Sequence, residues 1–148
     1  VKTTKKIRDT IIKKTWVQEN KVLVSYGEVD VGMFNHTDES VGELRKRLNL
    51  PDGFLVGYVG FYKTMGMAKG VDIMVEALTY IPETNIKMIF VGALHDEEVK
   101  ENQIISENLN IGDRTFFITW VRSDQVPVYE HTMDMLAIPY PDKHHFRE

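Results

Sequence analysis

Short, nearly continuous apolar runs alternate along the chain with stretches in which apolar residues recur every three or four positions. Residues 54–60 (FLVGYVG) and 86–92 (IKMIFVG) read as strands covered on both faces, because a strand packed by helices on each side has no polar face to alternate with. Between them Val71, Met74, Val75 and Leu78 fall at helical spacing over residues 70–81, and Pro82 stops the pattern. A polar helix follows over residues 96–109, anchored by Val99, Ile105 and Leu109. Then come a third strand at residues 115–118, a short helix at 124–131 and a fourth strand at 134–138. This β-α-β-α-β-α-β order predicts an α/β fold: a Rossmann-like parallel sheet with right-handed crossovers and helices on both faces. Ahead of it the pattern predicts a helix near residues 4–16 packed by Ile7, Ile11 and Trp16, and a strand at residues 22–25. Val41, Leu44 and Leu48 mark another short helix before the turn at residues 50–53. No helix follows the fourth strand within the sequence, so the domain is expected to be incomplete at its C-terminal end.

Composition leaves this picture in place. With 148 residues, 43% hydrophobic and 27% charged, the chain has room for one ordinary core and does not look disordered. No apolar run approaches the roughly 20 residues of a membrane-spanning helix. The absence of cysteine excludes disulfides and thiolate ligands, and a cytoplasmic location is the default expectation. A net charge of −4 argues against nucleic acid as a partner. The charge is uneven, however: Lys2, Lys5, Lys6, Arg8, Lys13 and Lys14 crowd the start of the chain. A basic helix of this kind suits either peripheral association with an anionic membrane or, more simply, the solvated face of a packed helix.

In an open parallel sheet, ligands bind where strands end and helices begin. The turn over residues 60–70 (GFYKTMGMAKG) leaves a strand on glycine, carries Lys63 and Lys69, and enters a helix at Gly70. Glycine lets backbone N–H groups approach a ligand closely, a helix start offers unpaired donors, and lysine can neutralise phosphate. The spacing matches neither common phosphate-loop pattern, so the residues leave open a phosphate site or a merely long connection. Two further turns, after Gly92 and around Val121, lie on the same predicted edge and could meet a nucleobase or only help the chain turn. Adjacent His144 and His145 lack a third ligand, so no metal is expected. Glu97, Glu98 and Glu101 read as the wet face of a helix rather than a catalytic pair, and no residue is assigned as catalytic.

In order and spacing, these segments resemble the retaining glycosyltransferases of family 4 (group 1), whose two Rossmann-like domains form the B fold. Residues 21–34 (KVLVSYGEVDVGMF) are similar to the family's hinge. Residues 56–60 with 69–72 (KGVD) and 76–78 (EAL) are similar to its donor loop and helix. Residues 89–92, 110–117 (NIGDRTFF) and 129–139 resemble later segments of the same domain. The resemblance implies residues 1–30 as the terminal helix and strand of an acceptor domain and hinge, loosely attached or packed on another copy of the chain. Residues 31–148 would be a partial nucleotide-sugar-binding domain. It implies Gly60, Lys63, Lys69 and Gly70 on the donor diphosphate, and Gly92 and Val121 on the nucleobase side. The substrate would be a nucleotide diphosphate sugar, with no further cofactor or metal, and the acceptor a glycan or lipid-linked sugar. The fragment would be inactive by itself. Unpaired sheet edges would leave it open to homo-oligomer formation. Two departures stand out: Phe61 occupies the position after the loop glycine where the family usually has Arg, and Gly27-Glu28 replaces the customary hinge pair. The family's paired glutamates are also absent, and Glu148 is not assigned to them. A Rossmann-type nucleotide-binding module and a non-catalytic interaction module remain rival readings of the same alternation.

Overall fold

The computed structural model describes residues 4–25, 30–34 and 38–142. Lys2, the hinge pair Gly27-Glu28, and His144, His145 and Glu148 lie outside them. The chain forms two compact units, Val1–Asn35 and His36–Glu148.

In the first unit, helix α1 (Lys5–Lys14) begins where the Thr4 hydroxyl accepts the Ile7 N–H at 3.2 Å, which satisfies one of the free donors of a helix start. Arg8 ties the helix to the next stretch of chain, donating to the Val22 carbonyl at 3.1 Å and the Glu19 carboxylate at 2.8 Å. Two expectations fail here. The helix stops at Lys14, with Thr15 already extended, so Trp16 falls off the apolar stripe and stands fully exposed. The strand expected at residues 22–25 is a single bridge at Val24 after one 3-10 turn, Glu19–Lys21. Helix α2 (Val31–Phe34) ends the described part of this unit.

The second unit opens with α3 (Val41–Arg47), where Ser40 and Glu43 cap each other: the serine hydroxyl accepts the Glu43 N–H and the glutamate accepts the Ser40 N–H. Strand β1 (Phe54–Val59) follows, then β2 (Lys63–Thr64), β3 (Met67–Ala68) and α4 (Val71–Leu78). Next come β4 (Ile86–Ala93), α5 (Asp96–Asn108), β5 (Thr115–Thr119), α6 (Val126–His131) and β6 (Met135–Leu136). The main sheet is parallel throughout with order β5-β4-β1-β6. The chain order thus reverses beside β1, making the crossover point at which α/β sheets open a crevice.

Alternation along β1 and β4 sorts the core into two layers. Tyr58, Met88 and Phe90 point to one side with Val71, Met74, Val75 and Leu78 of α4, while Leu55, Ile89 and Val91 point to the other with Tyr129 and Met133. The expected helix α5 is present, but its buried stripe is Glu98, Asn102 and Ser106. Ile105 and Leu109 are exposed at 39% and 38%, so only Val99 of the predicted anchors packs on the core. The polar stripe is tolerated because each group is satisfied close by. Glu98 accepts the Leu94 N–H at 2.8 Å, Asn102 donates to the Glu98 carbonyl, and Ser106 donates to the Asn102 carbonyl. Glu98 therefore does not belong to the wet face. No helix among the described residues is long and apolar enough to cross a membrane.

Candidate functional site

At the carboxyl ends of β1, β4 and β5 an open crevice of about 460 Å³ is walled by Gly60, Phe61, Lys69, Gly92, Trp120 and the 121–123 turn. Its shape follows from a close contact between two strand ends. Gly60 donates its N–H to the Val91 carbonyl at 2.8 Å, and the strand register breaks between Val91 and Ala93. Gly92 sits in this irregularity at φ +121°, and a Cβ there would lie 2.4 Å from the Gly60 carbonyl oxygen. No side chain fits between the two loops, so backbone forms the floor.

The stretch from Gly60 to Gly70 is an antiparallel hairpin, not a loose connection. Lys63 pairs with Ala68 and Thr64 with Met67 around a two-residue turn, with Met65 at φ 49° and Gly66 at φ 75°, the left-handed pair that suits tight hairpins. Tyr62 roots the hairpin: its buried hydroxyl donates to the Phe90 carbonyl at 2.9 Å, and its own carbonyl accepts the Lys69 N–H at 2.9 Å. Tyr58 donates to the Phe61 carbonyl at 2.7 Å and fixes the turn that leaves β1. Burial raises both tyrosine hydroxyls well above the ordinary value, so they act here as neutral donors.

Four of the six candidate residues, Gly60, Lys69, Gly92 and Val121, meet in this crevice. The other two do not wall it. Lys63 lies on β2 and extends toward α5, where its ammonium meets Glu101 at 3.2 Å. Gly70 is buried at the N-terminus of α4 with φ +92°, and a Cβ there would meet the Pro139 carbonyl oxygen at 1.9 Å. The segment after β6 therefore lies against that helix start.

The charges in the crevice are few. The Arg122 guanidinium is held by Asp124 through two contacts of 3.1 and 3.2 Å. Lys69 has no carboxylate partner among the described residues, and its ammonium sits 5.4 Å from the centre of the Tyr140 ring. The N–H groups of Val121, Arg122 and Ser123 have no protein acceptor among the described residues. Such an arrangement suits an anionic ligand with an apolar or aromatic portion: one cation and free amides beside exposed rings of Phe61 and Trp120. Sequence reasoning passed over Phe61 and Trp120 as ligand-facing groups. Their signal was position alone, directly after a strand end on the binding edge. No group of three or more histidine, aspartate or glutamate residues that could hold a metal occurs among the described residues.

No family model matches the sequence, and no curated protein does. Solved structures do match. Anabaena HepE in complex with UDP and glucose superposes with a TM-score of 0.70 at 24% identity, covering 93% of this chain and 36% of that one. Sucrose-phosphate synthase from Thermosynechococcus elongatus gives 0.68 at 21% identity over 94% of this chain and 34% of that one. The C-terminal domain of a group 1 glycosyl transferase family protein (LpcC) from Francisella tularensis gives 0.60 at 16% identity, covering 75% and 58%. The chain accordingly has the Rossmann-like α/β fold found in the C-terminal half of B-fold glycosyltransferases. The chain spans little more than a third of the length of the HepE and sucrose-phosphate synthase chains.

Proposed function

We propose that the crevice binds a nucleotide diphosphate sugar and that the chain supplies the donor-binding part of a retaining glycosyltransferase of the group 1, family 4 kind. The observation that carries this reading is the meeting of Gly60, Lys69, Gly92 and Val121 in one crevice at the crossover edge of the sheet. Independently of any geometry, the resemblance in sequence implies Gly60 and Lys69 on the donor diphosphate and Gly92 and Val121 on the nucleobase side. That the similar HepE structures hold UDP, UDP-glucose or UDP with glucose supports a uridine nucleotide as the first ligand to try.

In this reading the diphosphate lies over the Gly60–Phe61 turn, its charge met by the Lys69 ammonium, and the base lies toward Val121. As the bond from sugar to diphosphate lengthens, the sugar carbon gains positive and the leaving oxygen negative character. A lysine already aimed at that oxygen lowers the barrier because it need not reorganise. The acceptor, a glycan or lipid-linked sugar, would be presented by a further domain, and residues 1–30 belong to that side. Phe61 stands where the family usually has Arg, so the grip rests on Lys69 more heavily.

A thermal-shift panel of UDP-, GDP- and ADP-sugars against the bare nucleotides tests the reading. Stabilisation by one nucleotide series, greater with the sugar attached, is the expected result. Equal response with and without sugar would favour a nucleotide-binding module, and no response to any member would exclude a donor site.

A further inference from the structure

The cations near the crevice differ in what holds them. Lys63 is neutralised by Glu101 and Arg122 by Asp124, whereas Lys69 is held without a carboxylate partner among the described residues. Its backbone N–H is tied to the Tyr62 carbonyl at the base of the hairpin, and Tyr62 is itself anchored in the core through Phe90. Its ammonium lies over the ring of Tyr140. Tyr140 in turn comes from the opposite side of the crossover. It follows β6, whose Ala137 N–H is bonded to the Gly57 carbonyl at 2.9 Å, and Pro139 is pressed against Gly70. Two elements far apart in sequence thus converge on one lysine.

We propose that Tyr140 is a positioning residue for the donor diphosphate: its ring orients the Lys69 ammonium while leaving the charge free for phosphate. A carboxylate in the same place would orient the lysine equally well and cancel the charge. A π face attracts the ammonium from one side only, and the remaining N–H groups stay available. Tyr140 acts through Lys69 and needs no contact with the substrate. The proposal rests on the reading of the crevice as a nucleotide diphosphate site.

The test compares UDP with uridine by isothermal calorimetry on the full chain and its variants, with far-UV circular dichroism as a check on the fold. Tyr140→Phe keeps the ring and is expected to bind both like the unsubstituted chain. Tyr140→Leu is expected to lose roughly two- to five-fold in UDP affinity, the size of an exposed cation–π contact, with uridine unchanged. Tyr140→Glu is expected to lose on the order of ten-fold or more, since a carboxylate both neutralises Lys69 and repels phosphate. A merely structural tyrosine would shift UDP and uridine together, and that result overturns the proposal. So does UDP affinity in Tyr140→Leu or Tyr140→Glu equal to that of the unsubstituted chain, or a loss in Tyr140→Phe as large as in Tyr140→Leu. If the unsubstituted chain binds no UDP while another nucleoside diphosphate stabilises it, the same comparison is read with that nucleotide and its nucleoside. If it binds none, the donor-site reading falls and this proposal with it.

Discussion

The two ends of the parallel sheet treat charge in opposite ways. At the amino end every prominent cation is consumed by the fold. Arg114 is buried and donates to the carbonyls of Ile86, Ile81 and Glu83 at 3.1, 3.0 and 2.9 Å. Arg45 donates to the Thr132 and Gly53 carbonyls and pairs with Asp134 at 2.8 Å. At the carboxyl end, among the described residues, Lys69 has a neutral ring beside it and no carboxylate partner, the 121–123 amides have no protein acceptor, and Trp120 is 55% exposed. Polar groups that stabilise a fold are saturated by protein; those left unsaturated at a crevice are available to a ligand. The contrast separates charge held by the fold from charge open to a ligand on one sheet, and substitution at each end should read out accordingly.

The largest expected effect is at the amino end. Arg114→Met strips the Ile81, Glu83 and Ile86 carbonyls of their partly buried donor and is expected to cost about 3 kcal/mol of stability in urea denaturation, with little change in nucleotide affinity for the molecules that remain folded. A smaller loss, about 1 kcal/mol at neutral pH, is expected for Asp134→Asn, because this pair is partly exposed and screened. The effect carries a pH signature. Burial alone would raise the Asp134 carboxyl, but the Leu55 N–H at 2.7 Å and the Arg45 guanidinium outweigh it, so the group titrates below its ordinary value of 3.8. Its contribution is therefore complete above that value and lost as pH falls through the lower folded value. Asp134→Asn should flatten that acid limb of the stability curve, and an unchanged limb would assign the acid sensitivity elsewhere. Smallest of all, Lys63→Ala breaks an exposed pair with Glu101 and is expected to change stability by less than about 0.5 kcal/mol. It should leave UDP affinity unaltered. A large loss of affinity there would mean that the hairpin swings Lys63 into the crevice, and the division between the two lysines would need redrawing.

The two central strands were legible because a buried parallel strand writes itself as an unbroken apolar run, whereas the strand expected at 134–138 is only the exposed pair Met135–Leu136. Residues 54–60 and 86–92 carry that mark, and β1 and β4 fall within a residue of them. The hairpin inside the 60–70 turn was not legible, since strands of two residues are too short to show alternation. Its trace was the Met65-Gly66 pair between Thr64 and Met67, a turn type that the sequence permits without demanding. The polar stripe of α5 was misread for a different reason. Glu98, Asn102 and Ser106 recur at four-residue spacing, the periodicity of a buried face, but their polarity argued for solvent. Only the helix's own carbonyls and the Leu94 N–H explain how they are buried. For the candidate site, sequence pattern located the edge of the sheet and both lysines, but not their partners across the fold. Both lysines flank the same turn, and the difference lies in which partner each meets across the fold: Tyr140 or Glu101.

The most direct test of the central claim is calorimetric titration of UDP into the chain carrying Lys69→Ala, beside the unsubstituted chain and with the urea midpoint of each measured. The account predicts that UDP binding disappears while the midpoint stays where it was, because Lys69 contributes charge to the crevice and little to the fold. UDP affinity equal in the two chains would contradict it, and the Lys69 ammonium at the end of the sheet would then have no part in holding a diphosphate.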